Sequence, residues 1–516
     1  MKSAIRNYPL LLAGCVLFHI VGTWSLPLID RDEPRFAEAS REMIERADYI
    51  VPYFNNQLRL DKPPLAYWAQ IGSYRIFGEN DFAARFPSAV AASLTALCIF
   101  AWGTRLGGKV GWWAAIIFTL SLQTFVHAKA AVADMWLVLF MALAHWSGFE
   151  MIQFPTPINR EQASNAQRST LDQINQTSNI KHQKFWPWWL VFYFSLALGF
   201  LAKGPIAWTP LLTVSVIIIY TRDRQSTRRF KFPLGILLTL AVVALWGIPA
   251  LIQTRGEFFS VGIGRHVIGR SFVTMEGHGA NSLGMYLLLL PFYFVTVFVS
   301  FFPWSIKLPS LVRELWGERK VGVDAPGFSR NKIDTYLVSG AAIIFIIFTL
   351  VSTKLPHYTL PAFPLLALLL ARHWQGGALS NRRSLFKRIA SVTACVWIVT
   401  ALVVPPMVAP FFPAYELFHK AQADLESNMQ FASVEFEEPS LVWYFRSRVK
   451  GFLTPLNRRR AGEFMTAPGP RFIVLPTPVA GTLFANQPQS WRFFTASGFN
   501  VAKGKRADLT LVLKPD

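Results

Sequence analysis

MKSAIRNYPLLLAGCVLFHIVGTWSLPLIDRDEPRF, residues 1–36, sets the organisation of the whole chain. Lys2 and Arg6 precede an apolar run over residues 9–29, which ends on the charged string Asp30-Arg31-Asp32-Glu33. A run of that length spans a bilayer. Basic residues ahead of it hold its start in the cytoplasm, so the following segment, residues 30–81, is expected outside. No small-x-small cleavage signal follows, so the run reads as a retained span rather than a signal peptide.

Working outward, apolar runs suited to further spans recur at about 83–102, 109–126, 131–152, 186–202, 205–220, 233–253, 283–305, 335–353, 356–371 and 389–409. Alternating sides along these runs places Arg105, Lys109 and the basic stretches 222–231, 313–320 and 372–388 inside, as cytoplasmic loops require. Segments 30–81 and 254–282, the turns at Lys129, Lys203 and Lys354, and the carboxy terminus then fall outside. The insert 155–184 is rich in Asn, Gln, Ser and Thr without apolar periodicity and reads as a cytoplasmic loop. Beyond about residue 412 the character changes. SVEFEE (433–438), SLVWYF (440–445), RFIVLP (471–476) and LTLVLKP (509–515) predict short strands. The expected fold is a membrane all-α bundle of about 11–13 transmembrane helices over residues 1–411, with a small extracytoplasmic α/β domain over 412–516.

Composition agrees. The 516 residues are 52% hydrophobic and 16% charged, with mean hydropathy +0.32, whereas soluble domains carry about a quarter charged residues. The net charge of +21 does not imply nucleic acid as a partner, because the basic clusters lie between apolar runs rather than on one groove-facing surface. Cys15, Cys98 and Cys395 each sit in an apolar run, with no spacing for a disulfide framework or a metal site.

Residues able to carry chemistry gather in the outer segments. Arg35, Phe36, Ala39, Met43 and Ile44 recur at helical spacing and predict an amphipathic helix at the membrane interface. Its Glu38, Glu42, Glu45 and Arg46 are expected to face water and lipid headgroups. Solvation alone explains poorly Asp32-Glu33 at the mouth of a span, or Asp61-Lys62 held before the stiff Pro63-Pro64 pair. Lys203 in GFLAKGPIAW, Lys354 in STKLPHYTLPAFP, and Arg265, His266 and Arg270 in RHVIGR add cations on the same side. A lone lysine at a helix end often only reaches for headgroups. Several converging cations opposite paired carboxylates suit a phosphate at the bilayer surface.

The ordered set RDEPRFAEASREM (31–43), DKPPLAYW (61–68), AKGP (202–205), FFPWS (301–305) and KLPHYTLPAFPLLALLLA (354–371) resembles the bacterial GT-C glycosyltransferases. Within these the likeness is to the aminoarabinose transferases and protein-mannosyltransferase-like enzymes, from about residue 8 to 372. The resemblance implies an inverting transfer from a polyprenyl-phosphate-linked sugar of undecaprenyl type, at the periplasmic face of the inner membrane. Lipid A, a surface polysaccharide or a protein would be the acceptor. Asp32, with Glu33 beside it, matches the family's catalytic carboxylate, which implies a general base toward an acceptor hydroxyl or a group that orients the acceptor. Lys62 matches its lipid-phosphate ligand, with Arg270 second and Arg35, Lys203 and Lys354 as further candidates. His357 and Tyr358 are implied at the substrate pocket. A divalent metal ion held by Asp61 and His266 is the one cofactor implied; two ligands do not define a site, and pairing of Asp61 with a neighbouring arginine is the alternative. The chain departs from the aminoarabinose pattern at Phe36, Arg59, Asp61 and His357, which touch the expected sugar pocket and metal pair. Protein O-mannosylation is the nearest rival within the class. A lipid or sugar transporter is the rival outside it, and would place charges near the midplane of broken helices.

Overall fold

The computed structural model describes residues 2–107, 109–152, 185–269, 282–320, 328–375, 380–486 and 488–515. The insert 155–184 and Arg270 lie outside them. Each expected apolar run is helical, but several are broken. α1 (Lys2–Ile20) stops before the expected end of its span, where Gly22 takes a left-handed φ of 78°. Lys129 Nζ caps the end, donating to the carbonyls of Phe18, His19 and Val21 at 3.0, 2.8 and 2.7 Å. Among the described residues, Asp81–Leu106, Arg224–Gln253, Lys332–Leu350 and Arg383–Phe411 are long and apolar enough to cross a membrane.

Elsewhere a run expected to be continuous is interrupted. Residues 109–126 divide at Ser121, residues 283–305 divide at Pro291, and residues 205–220 and 356–371 each begin as a 3-10 turn, Pro205–Trp208 and Pro356–Ala362. Proline removes a backbone donor, and a break in an apolar environment survives only if the freed groups find partners within the protein. Leu122 N donates to Phe302 O at 2.9 Å, and Leu355 N to Tyr293 Oη at 3.3 Å. Close packing uses small residues: a Cβ on Gly103 would stand 2.6 Å from Gly111 Cα, so the two helices approach at their backbones.

The segment after α1 folds into α2 (Asp32–Arg46), a hairpin of β1 (Tyr53–Phe54) and β2 (Gln57–Leu58), and α3 (Leu65–Phe77). Asn55 and Asn56, at φ 50° and 62°, make the two-residue turn that such a tight hairpin needs. The carboxy-terminal segment carries a five-stranded sheet of β3 (Gln430–Val434), β4 (Leu453–Leu456), β5 (Arg471–Pro476), β6 (Arg492–Asn500) and β7 (Lys505–Lys514), in order β4-β3-β5-β7-β6. β3 runs parallel to β4 and β5, whereas β7 is antiparallel to β5 and β6.

Two sequence expectations are corrected here. SLVWYF is not a strand but most of a short helix, Pro439–Phe445, every residue of which is buried. Burial on all sides erases the periodicity that separates helix from strand, and Pro439 in the first turn suits a helix start. Nor does α2 turn all of its acids to water: Glu45 and Arg46 are exposed as expected, but two of the others are not. Glu38 and Glu42 are fully buried, because the Pro439–Phe445 helix packs over them. Arg446 pairs with Glu38, lies 2.7 Å from Glu45 and 3.8 Å from Glu42. Arg41 joins Glu38 at 2.7 Å and donates to Trp443 O at 3.0 Å. Asp30 accepts from Ser440 N and Oγ, while Trp443 Nε1 and Tyr444 Oη donate to Asp81. The first loop and the sheet domain therefore share one end of the bundle and one polar interface.

That interface is pH-sensitive. Burial pushes the Glu42 carboxyl up to about 7, with Glu38 adding to the shift and Arg446 opposing it; burial likewise raises Asp30 to about 7, against the Ser440 hydrogen bonds. Both values are raised on folding, so the stability they contribute is complete below the ordinary carboxylate range and is lost as pH rises through about 7. Limited proteolysis should release the sheet domain faster at about pH 8 than at about pH 5.5, and Glu42→Gln should flatten the dependence. A pH profile unchanged in Glu42→Gln would assign the sensitivity elsewhere.

Candidate active site

Below this interface lies a cavity of about 870 Å³. Its walls are apolar, with Phe200, Trp208, Leu212, Val243, Ile248 and Phe348 among them. Its polar groups are Asp61, Lys62, Asp134, Lys203, His357 and Tyr358. The cavity thus joins a charged head to a long hydrophobic wall.

Two helices of opposite direction build the head. The helix Asp134–Met151 begins at Asp134, and the helix Phe185–Lys203 ends at Lys203, beyond which Gly204 turns the chain at φ 85°. A carboxylate at a helix amino terminus and an ammonium at a carboxy terminus both suit the helix dipole. They meet at 2.5 Å. The 3-10 turn Pro356–Ala362 adds His357, whose Nε2 is 3.9 Å from Asp134 Oδ1, and Tyr358, whose ring centroid is 5.8 Å from Lys203 Nζ.

The first loop supplies the other side. Lys62 Nζ and Asp61 Oδ2 lie 3.8 Å apart, and Asp61 Oδ1 is 3.2 Å from Arg59 Nε. Arg59 also donates to Tyr67 Oη at 2.8 Å and lies over Phe36, itself stacked on Tyr67. Burial opposes the Arg59 charge, but the surrounding Asp61, Tyr67 and Asp32 outweigh it and hold the guanidinium ionised. Arg59 thereby places the Asp61-Lys62 corner within electrostatic reach of Asp32, which is exposed in the first turn of α2 and is not among the residues lining the cavity.

Asp32 and Glu33 are adjacent but differently engaged. Glu33 is buried, and both its oxygens are occupied: Arg85 Nε and Ala131 N donate to one at 2.9 and 2.7 Å, Arg85 Nη2 and Ile29 N to the other at 2.8 Å each. Arg85 further collects the carbonyls of Thr23, Leu26 and Pro27. This knot fixes the start of α2 and with it the direction of Asp32.

The other expected residues are placed as follows. Arg35 is half-buried near the Asp30 carboxylate. Lys354 is buried away from the cavity, with Nζ on the carbonyls of Phe348 and Thr349 at 3.0 and 2.6 Å, as a helix cap. Arg270 and the side chains of Arg265 and His266 lie outside the described residues, and with them the expected pairing of Asp61 with His266; Arg59 and Lys62 are partners of Asp61 among the described residues. No chemistry is therefore routed through a metal at Asp61. Instead His127, Asp134 and His357 each offer a ligand atom within 4.8 Å of the others. Sequence reasoning missed Asp134 and His127. Asp134 opens an apolar run in AKAAVADMW just as Asp32 closes one, and that signal was available.

The structure superposes on ArnT from Cupriavidus metallidurans, a structure bound to undecaprenyl phosphate, with TM-score 0.75 over 98% of this chain and 97% of that one, at 16% identity, so the two share a fold. Residues 61–158 match the dolichyl-phosphate-mannose-protein mannosyltransferase family. An undecaprenyl phosphate-alpha-4-amino-4-deoxy-L-arabinose arabinosyl transferase of Aeromonas hydrophila is 27% identical over 69% of the chain; the match spans 58% of that protein's length. The enzyme of the same name from Enterobacter sp. strain 638 is 26% identical over 100% of the chain and 87% of its own length. These likenesses are to glycosyltransferases of the GT-C and aminoarabinose-transferase type, and the fold is the one the two structures share.

Proposed function

We propose that the chain transfers a sugar from a polyprenyl-phosphate carrier to lipid A or another envelope glycan, at the periplasmic face of the inner membrane. The observation that carries this reading is the cavity itself, an apolar wall leading to a head bearing Lys62 and Lys203. A polyprenyl chain suits the wall, and a phosphate suits the two ammonium groups through charge-assisted hydrogen bonds. The relatives' names supply the donor class and the sugar. Residues 1–411 would form the catalytic membrane unit and 412–516 the domain that braces its first loop.

In this reading an acceptor oxygen attacks the anomeric carbon from the face opposite the phosphate. The bond from that carbon to the phosphate oxygen breaks, its electron pair leaves on the phosphate, and the configuration inverts. Lys62 and Lys203, with Arg270 and Arg35 nearby in sequence-based expectation, stabilise charge as it appears on the leaving group. Asp32 takes the proton of a hydroxyl acceptor, or orients an acceptor that is already an anion. Glu33, saturated by Arg85 and two backbone amides, positions Asp32 rather than reacting. His357 and Tyr358 line the sugar's approach.

Donor recognition tests the reading directly. Lys62→Met should weaken undecaprenyl phosphate binding to the purified chain about 10- to 100-fold, the scale of one charge-assisted hydrogen bond to an anion. Native mass spectrometry or a displacement assay reads it. Equal binding by wild type and Lys62→Met would remove the phosphate from this head. Formation of a glycosylated protein rather than a glycosylated lipid would favour the mannosyltransferase reading that the match at 61–158 supports.

A further inference from the structure

A cluster beside the cavity head is not used as a unit by this chemistry. His127 closes the short helix Leu122–His127, Asp134 opens the helix Asp134–Met151, and His357 lies in the turn Pro356–Ala362. Three separate segments thus deliver two imidazoles and a carboxylate to one point. Their ligand atoms lie within 4.8 Å of one another, and the two imidazole centroids are 5.0 Å apart. The Asp134–Lys203 ion pair needs neither histidine.

We propose that His127, Asp134 and His357 form a binding site for a divalent transition-metal ion, of zinc type, at the head of the cavity. Two imidazoles and one carboxylate make a donor set that zinc takes with a fourth position open. Donors about 2.0–2.1 Å from a common ion would close up by about 1–1.5 Å from the present spacing, within the reach of side-chain rotation. Gln123 lies 2.9 Å from His127 Nδ1. The atom placed there is the amide nitrogen; with the amide turned over, its oxygen would accept from Nδ1–H, fix the tautomer and leave Nε2 for the metal, as a supporting residue around a metal commonly does.

Lys203 gives the site a distinctive property. Its ammonium holds the same Asp134 carboxylate at 2.5 Å, so metal and lysine compete for one partner. A bound dication would displace the ammonium from Asp134 and free it toward the cavity. The open metal position and the released ammonium would then face the same anion. Only this use toward a phosphate rests on the function proposed above; the site itself stands on the three residues.

Metal alone tests it. The full chain, purified in detergent and stripped with chelator, is titrated with Co²⁺ and followed by visible absorption and elemental analysis. One equivalent should bind with the strong absorption of a four- or five-coordinate ion. His127→Gln and His357→Gln should each weaken binding by at least about 100-fold, since removing even a supporting residue costs 10- to 100-fold. Lys203→Met should tighten it about tenfold by removing the competitor. Asp61→Asn should leave it unchanged, which separates this site from the Asp61–His266 pair. Absence of binding in the wild type overturns the proposal, as does binding that survives both histidine changes. Should the histidine variants fail to fold, an affinity for Co²⁺ unaltered in Lys203→Met overturns it equally. Because no donor is present, failure of the glycosyl-transfer reading would leave this result intact, and the converse holds.

Discussion

Asp32→Asn should lower sugar transfer by about 10²- to 10⁴-fold while leaving donor binding intact, the range expected when a positioned proton acceptor is lost. The substitution keeps the side chain's shape and removes only its charge. It also leaves untouched the Glu33–Arg85 knot that sets the start of α2, so folding should be spared. The size of the loss reports on the acceptor. A hydroxyl acceptor needs its proton removed and should show the larger deficit. A phosphate acceptor needs only orientation and should show the smaller. The assay is transfer from a radiolabelled polyprenyl-phosphate sugar by the purified chain in vesicles. A rate within about threefold of wild type would put catalysis elsewhere than the first loop.

Arg446→Met should cost the most stability of any change at the domain interface. The guanidinium bridges Glu38, Glu42 and Glu45, two of them fully buried. Removing one partner of a buried ion pair typically costs about 3–5 kcal/mol, because the remaining charge is left desolvated. Glu42, already raised to about 7, can relieve part of this by taking a proton, so the deficit should be smaller in mild acid. Thermal unfolding and proteolysis of the sheet domain both read the effect. Arg446→Met combined with Glu38→Gln should recover part of the stability, as expected for residues that touch. Transfer should fall as well, since α2 carries Asp32. A shift below about 1 kcal/mol would show that apolar packing of the Pro439–Phe445 helix, not the ion network, holds the domains together.

The candidate site was legible in unequal parts. Lys62 and Lys203 stood out because a cation beside prolines or glycine at a span's end is a local pattern, and both line the cavity. Lys354 showed the same pattern, yet its ammonium is spent on two carbonyls of the preceding helix. Nothing in a local pattern tells a cap from a ligand. Glu33 and Asp32 are likewise indistinguishable as neighbours; only Arg85, 52 positions from Glu33, separates an anchored carboxylate from an exposed one.

Properties that accumulate along a stretch of chain, such as hydropathy over a span's length and charge bias between spans, need no partner to be read. They placed the apolar runs and the gathering of ionisable groups at one end, and they set the expected orientation. Properties that depend on who meets whom appeared only with the tertiary structure. Asp134 acquires its meaning from Lys203, 69 positions on, and from two histidines of other segments. Glu38 and Glu42 of α2 look like part of a solvated face until the segment carrying Arg446, 408 positions from Glu38, packs over them. The physical reason is that ionisation and ligation are set by burial and by the nearest opposite charge, which the folded chain chooses from its full length.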